Sequence, residues 1–122
     1  MTFADIQIKP LSGVPAAFAG HTLVFSGQLD ESNVDELAKK VYEMVESEEK
    51  PLYLLLDFKD LEYMNSKSIG YLTDWYGRVN GRKGKIVIAQ ARENILDILQ
   101  VVGLTQLISC FPTVDEAKAT LK

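Results

Sequence analysis

The chain has 122 residues, of which 47% are hydrophobic and 25% charged, and its net charge is −4. That is the size and balance of one ordinary globular domain with one core, and it gives no electrostatic reason to expect nucleic acid as a partner. One His (His21) and one Cys (Cys110) exclude a structural zinc site or an intrachain disulfide, and the lack of a bilayer-length apolar run or a signal-peptide start leads us to expect a cytoplasmic protein with no membrane partner.

In chain order, Thr2–Pro10 alternates Ile6 and Ile8 with Gln7 and Lys9, the pattern of a half-buried strand that Pro10 stops or marks as an edge. Leu11–Gly20 is a turn-rich connection. His21–Leu29 is a second strand with Leu23, Phe25 and Leu29 on one face, and Gly27 within it permits a bulge or a close backbone approach. Ser32-Asn33-Val34-Asp35 has the form of a capping-box start, with Asp30 as an alternative cap. The following helix carries Val34, Leu37, Ala38, Val41, Tyr42 and Val45 at helical spacing, and its charged end, Glu46–Lys50, reads as a solvated terminus.

Pro51–Phe58 is almost continuously apolar, as a strand covered on both faces would be. We expect it to end at Asp57, with a short acidic connection leading to a helix that starts near Ser66. Asn65 is the expected N-cap, Met64 and Ile69 fit a hydrophobic staple, and Ile69, Leu72, Tyr76 and Val79 form the inward stripe. On that reading Ser66, Lys67 and Ser68 face solvent at the partly positive helix start. Tyr71 and Trp75 fall off the stripe, and are either exposed anchors or covers for a neighbouring helix.

Arg82–Lys85 is a basic turn and Ile86–Ala89 a short strand. Arg92–Val102 is a helix with Ile95, Leu96, Leu99 and Val102 inward, closed by Gly103 in a left-handed cap, after which Leu104, Leu107 and Ile108 continue the apolar surface. Cys110, in an apolar run, reads as a buried structural thiol. Thr113 and Glu116 open a last helix with Val114, Ala117 and Leu121 inward. Periodicity alone gives a single α/β domain over residues 1–122.

The run Asn65-Ser66-Lys67-Ser68-Ile69-Gly70, preceded by Tyr63-Met64, resembles the Asp-Ser-Ser-Gly-Leu-Gly signature of STAS domains, the bacterial anti-sigma factor antagonists. Gly27-Gln28-Leu29-Asp30, the Gly103-Leu104 turn and the Phe111-Pro112-Thr113 ending resemble the same family, so the likeness spans about Gly27 to Leu121. It implies a mixed, mainly parallel sheet of about four or five strands flanked by about four helices. It also implies regulation through an anti-sigma factor of the serine-kinase type, with no cofactor and no metal. In the family the second Ser of the signature is phosphorylated, and here that position is Lys67. The departures at Asn65 and Lys67 shift the local charge by about +2 relative to an Asp and a neutral Ser.

A cation at Lys67 opposes the helix dipole, so it cannot imitate a phosphate. Two consequences stay open: a surface permanently able to bind, or a different partner with a complementary acidic patch. Phosphate on Ser66 or Ser68 would be accommodated by free N–H groups at the helix start. The expected partner-binding residues are Asp30, Asp60, Glu62, Asn65, Ser66, Lys67 and Ser68. One alternative is a phosphorylation-independent STAS scaffold that assembles a signalling complex. The other is a small enzyme or ligand-binding domain using Asp57 and Asp60. No base, phosphate loop or metal set accompanies these acids, so we do not expect an enzyme.

Overall fold

The computed structural model describes residues 2–122. Its centre is a five-stranded sheet in the order β1-β2-β3-β4-β5. The strands are β1 (Ala4–Pro10), β2 (Ala19–Leu29), β3 (Leu52–Met64), β4 (Lys85–Ala89) and β5 (Ser109–Phe111). β1 lies antiparallel to β2, and every other pair is parallel. The helices are α1 (Val34–Ser47), α2 (Ser66–Gly81), α3 (Glu93–Val101) and α4 (Val114–Ala119), with a short 3₁₀ turn at Leu104–Gln106. This is the expected mixed, mainly parallel α/β architecture.

Alternation along β3 sorts the core. Leu54, Leu56, Phe58 and Leu61 pack with residues of α1, α2 and α3, whereas Leu55 packs with Val87, Ala89, Ala117 and Leu121 under α4. Three helices therefore cover one face and the short α4 part of the other. Burial on both faces explains the unbroken apolar run at Leu52–Leu56.

Several elements differ from the sequence reading. β3 does not stop at Asp57 but continues through the acidic segment to Met64. Its pairing with β2 slips twice: Val24 faces Asp57 but Ser26 faces Asp60, and Gly27 faces Leu61 but Gln28 faces Tyr63. Each slip inserts one extra β3 residue, so two neighbours turn outward together. Phe58, Leu61 and Met64 are buried while Lys59, Asp60, Glu62 and Tyr63 are exposed. β5 is a further strand that the sequence did not announce, because its three residues are too few to display a period. Val102, expected inward, and Leu107, expected to continue the apolar surface, are half exposed at 50% and 51%. Gly103 does take the left-handed conformation, at φ 81°.

Gly27 answers a specific demand. Its φ is +82°, and a Cβ there would lie 2.2 Å from Phe3 O. Gly27→Ala is expected to destabilise the fold by about 2 kcal/mol or more in urea unfolding, from backbone strain plus the displaced Phe3 carbonyl.

Candidate functional site

The start of α2 is built by Asn65. Its Oδ1 accepts from Ser68 N at 2.9 Å and from Ser68 Oγ at 2.6 Å, which satisfies one free donor of the first turn. The same bonds turn the Ser68 side chain inward. Ser68 is buried at 3% exposure, so only Ser66 and Lys67 of the expected trio face solvent. The inward stripe of α2 is Ser68, Leu72, Trp75 and Val79, with Ile69 and Tyr76 only half-buried. Trp75 is core rather than an exposed anchor. Its ring stacks with Tyr71 and meets Phe25 and Tyr42 at centroid distances of 6.2 to 6.3 Å.

Lys67 is not a free cation. Its Nζ lies 2.9 and 3.0 Å from the two carboxylate oxygens of Asp35, in the first turn of α1. Tyr71 OH donates to Asp35 Oδ1 at 2.6 Å. These bonds, Tyr71 first and then Lys67, hold the Asp35 carboxyl below its usual range, and Asp35 in turn raises both Lys67 and Tyr71. The positive charge gained at position 67 is therefore offset on the spot. Asp35 was missed in the sequence. The available signal was the i, i+4 spacing of Lys67 and Tyr71, which places both on one side of α2.

The α1–α2 seam continues in the same style. Tyr42 OH donates to Asp74, and Arg78 bonds Asp74 at 2.9 Å while its guanidinium lies 4.8 Å over the Tyr42 ring. Burial, and then the Asp74 bond, push the Tyr42 phenol up to about 12.

Asp30 closes the β2–α1 turn. Its Oδ1 accepts from Ser32 N and Ser32 Oγ at 2.9 and 2.6 Å, while Asn33 Oδ1 accepts from Asp30 N at 3.1 Å. Ser32 therefore serves the turn rather than capping α1, and Asn33 occupies the cap position without a side-chain bond into the helix. Leu29 pairs with Met64, which puts Asp30 next to Asn65 at the carboxyl ends of β2 and β3. Glu62 is two residues from Met64. Asp60 stands apart, opposite Ser26 and roughly 10 Å back along the strand.

The model of the STAS domain matches residues 15–117 of the chain. This chain belongs to the STAS domain family. An anti-sigma factor antagonist from Mycobacterium paratuberculosis superposes with a TM-score of 0.81 at 18% identity, over 98% of this chain and 94% of that one. An anti-sigma-factor antagonist (STAS) domain protein from Planctomyces limnophilus does so with a TM-score of 0.78 at 20% identity, over 98% and 99%. The anti-sigma factor antagonist SpoIIAA in its unphosphorylated form gives 0.76 at 16% identity, over 95% of each chain. At these identities the likeness is one of fold.

In this STAS domain Asp57, one of the two acids on which the enzyme or ligand-binding alternative rests, already holds hydrogen bonds within the fold. Asp57 Oδ1 accepts from Lys59 N at 3.1 Å and from Gln90 Nε2 at 3.0 Å, holding the β3 bulge to the end of β4. A concavity lined by Lys59, Gln90, Leu96, Gln100 and Phe111 opens nearby, but neither Asp57 nor Asp60 lines it. The Cys110 thiol is half-buried, and burial pushes its pKa up. Among the described residues no helix is long and apolar enough to cross a membrane.

Proposed function

We propose that this STAS domain is a regulatory protein–protein interaction module of the cytoplasm, an anti-sigma factor antagonist. It binds an anti-sigma factor of the serine-kinase type and so frees a sigma factor, with no catalytic step and no cofactor of its own. Its working surface comprises Asp30, Glu62, Asn65, Ser66 and Lys67, with Asp60 at the margin. Ser68 supports this surface from beneath.

The observation that carries this reading is Lys67. The sequence resemblance aligns it with the phosphorylated Ser of the family signature; in the fold it is exposed, and Asp35 pairs with it from α1. The surface is thereby fixed in the unphosphorylated charge class and competent to bind at all times. The same ion pair also favours a second reading, a phosphorylation-independent scaffold using this surface to assemble a signalling complex.

The test mixes the protein with a candidate anti-sigma factor of the serine-kinase type, with and without ATP. The expected outcome is a complex that persists in ATP, with no phosphate found by mass spectrometry. Stoichiometric phosphate on Ser66 would overturn the constitutive reading. Binding confined to sensory or scaffold proteins selects the second.

A further inference from the structure

Two aromatic side chains project beside the working surface: Phe3 is 69% exposed and Tyr63 45%. Their backbones are fixed. Phe3 O accepts from Gln28 N at 2.8 Å, and Thr2 O accepts from Asn33 Nδ2 at 3.2 Å, which ties the segment before β1 to the end of β2. Tyr63 pairs with Gln28 in the β2–β3 ladder, and the Glu62 carbonyl before it accepts from Asn94 Nδ2 at 3.1 Å. Phe3, just before β1, and Tyr63, in β3, therefore flank Gln28 on backbone that is already hydrogen-bonded. The Phe3 ring edge also lies against the bare Gly27, where a Cβ would come 2.8 Å from Phe3 Cδ2. Rings on ordered backbone lose little further freedom when a partner covers them.

Acidic side chains predominate around these rings among the described residues. Asp30, Glu31, Asp60 and Glu62 enter no ion pair among the described residues. Lys67 is offset by Asp35. Among the described residues, the cations Lys59 and Arg92 lie toward α3, where Arg92 Nε donates to the Lys59 carbonyl.

We propose that Phe3 and Tyr63 are the anchors of the docking surface and receive an arginine-bearing, otherwise apolar segment of a partner protein. A guanidinium is the group that satisfies both features at once. It stacks on an aromatic face and presents paired donors to a carboxylate such as Asp30 or Glu62. This rests on the regulatory reading above and supplies the partner's chemistry, a basic surface in place of the acidic patch that Lys67 suggested from sequence.

The probe is a short capped peptide alternating Arg and Leu, compared with its Lys and Glu counterparts by amide NMR titration at low salt. The expected shifts centre on Phe3, Gln28, Asp30, Glu62 and Tyr63, with affinity in the order Arg, then Lys, and none for Glu. Phe3→Ala and Tyr63→Ala each weaken the Arg peptide about tenfold or more, as for hot-spot aromatics. Leu107→Ala, a remote exposed apolar site, leaves it unchanged. Both rings are outside the core, so circular dichroism should show the variants folded.

Binding of the Glu peptide as tight as that of the Arg peptide, no shifts at these residues, or full affinity in both aromatic variants overturns the proposal. The regulatory reading fails differently. In that case no anti-sigma factor of the serine-kinase type binds, while the Arg peptide still maps to this patch.

Discussion

Trp75→Ala is expected to lower the unfolding free energy by about 3–5 kcal/mol, the cost of removing a large buried aromatic and leaving most of its cavity. A domain of this size holds about 5–15 kcal/mol in total, so the loss takes a large share of its stability. The ring is 4% exposed and sits where α1, α2 and the sheet meet, against Phe25, Tyr42 and Tyr71. Trp75→Phe should cost far less, about 1 kcal/mol. Among the described residues the indole Nε1 is buried without a hydrogen-bond partner, so its removal relieves a desolvation penalty of about 1–3 kcal/mol that partly offsets the lost packing. Urea titration followed by far-ultraviolet circular dichroism measures both variants without relying on the missing fluorophore. A Trp75→Ala loss below that of Trp75→Phe would remove this ring from the core.

Trp75 also illustrates which features the sequence made legible. Counting apolar residues alone places the stripe of α2 at Ile69, Leu72, Tyr76 and Val79. The real stripe begins at Ser68, a polar residue that tolerates burial because Asn65 accepts its hydroxyl and its backbone N–H. The Asn65 cap was legible, yet its consequence, the rotation of the stripe toward Trp75, was not. In the same way the period of two failed in β3 because two bulges convert it locally to a period of three, at Phe58, Leu61 and Met64. Local signals survived: Gly103 in the left-handed cap, Thr113 accepting from Glu116 N, Gly27 at the close approach. The Lys67–Asp35 pair spans 32 residues, so no window of sequence contained it.

That pair sets the last expectation. Lys67→Ser should convert a domain that takes up no phosphate at this position into one that takes up about one phosphate per chain when incubated with a serine-kinase anti-sigma factor and ATP. The introduced hydroxyl would lie in the exposed first turn of α2, where free N–H groups and the helix dipole favour a phosphate of about −1.5 to −2 charge. Asp35 works in the opposite direction. Once Lys67 is gone, its carboxylate faces the incoming phosphate across the α1–α2 seam, and two like charges at close range repel. Lys67→Ser combined with Asp35→Asn should therefore be modified faster than Lys67→Ser alone, while Lys67→Ala should bind and stay unmodified. Both positions are exposed, so melting midpoints should move little in any of these variants. Phosphate mapped to residue 67, with release of the partner on modification, would show that one substitution separates a constant docking surface from a switchable one. If Lys67→Ser binds but stays unmodified, the identity of residue 67 is not what withholds this surface from a kinase.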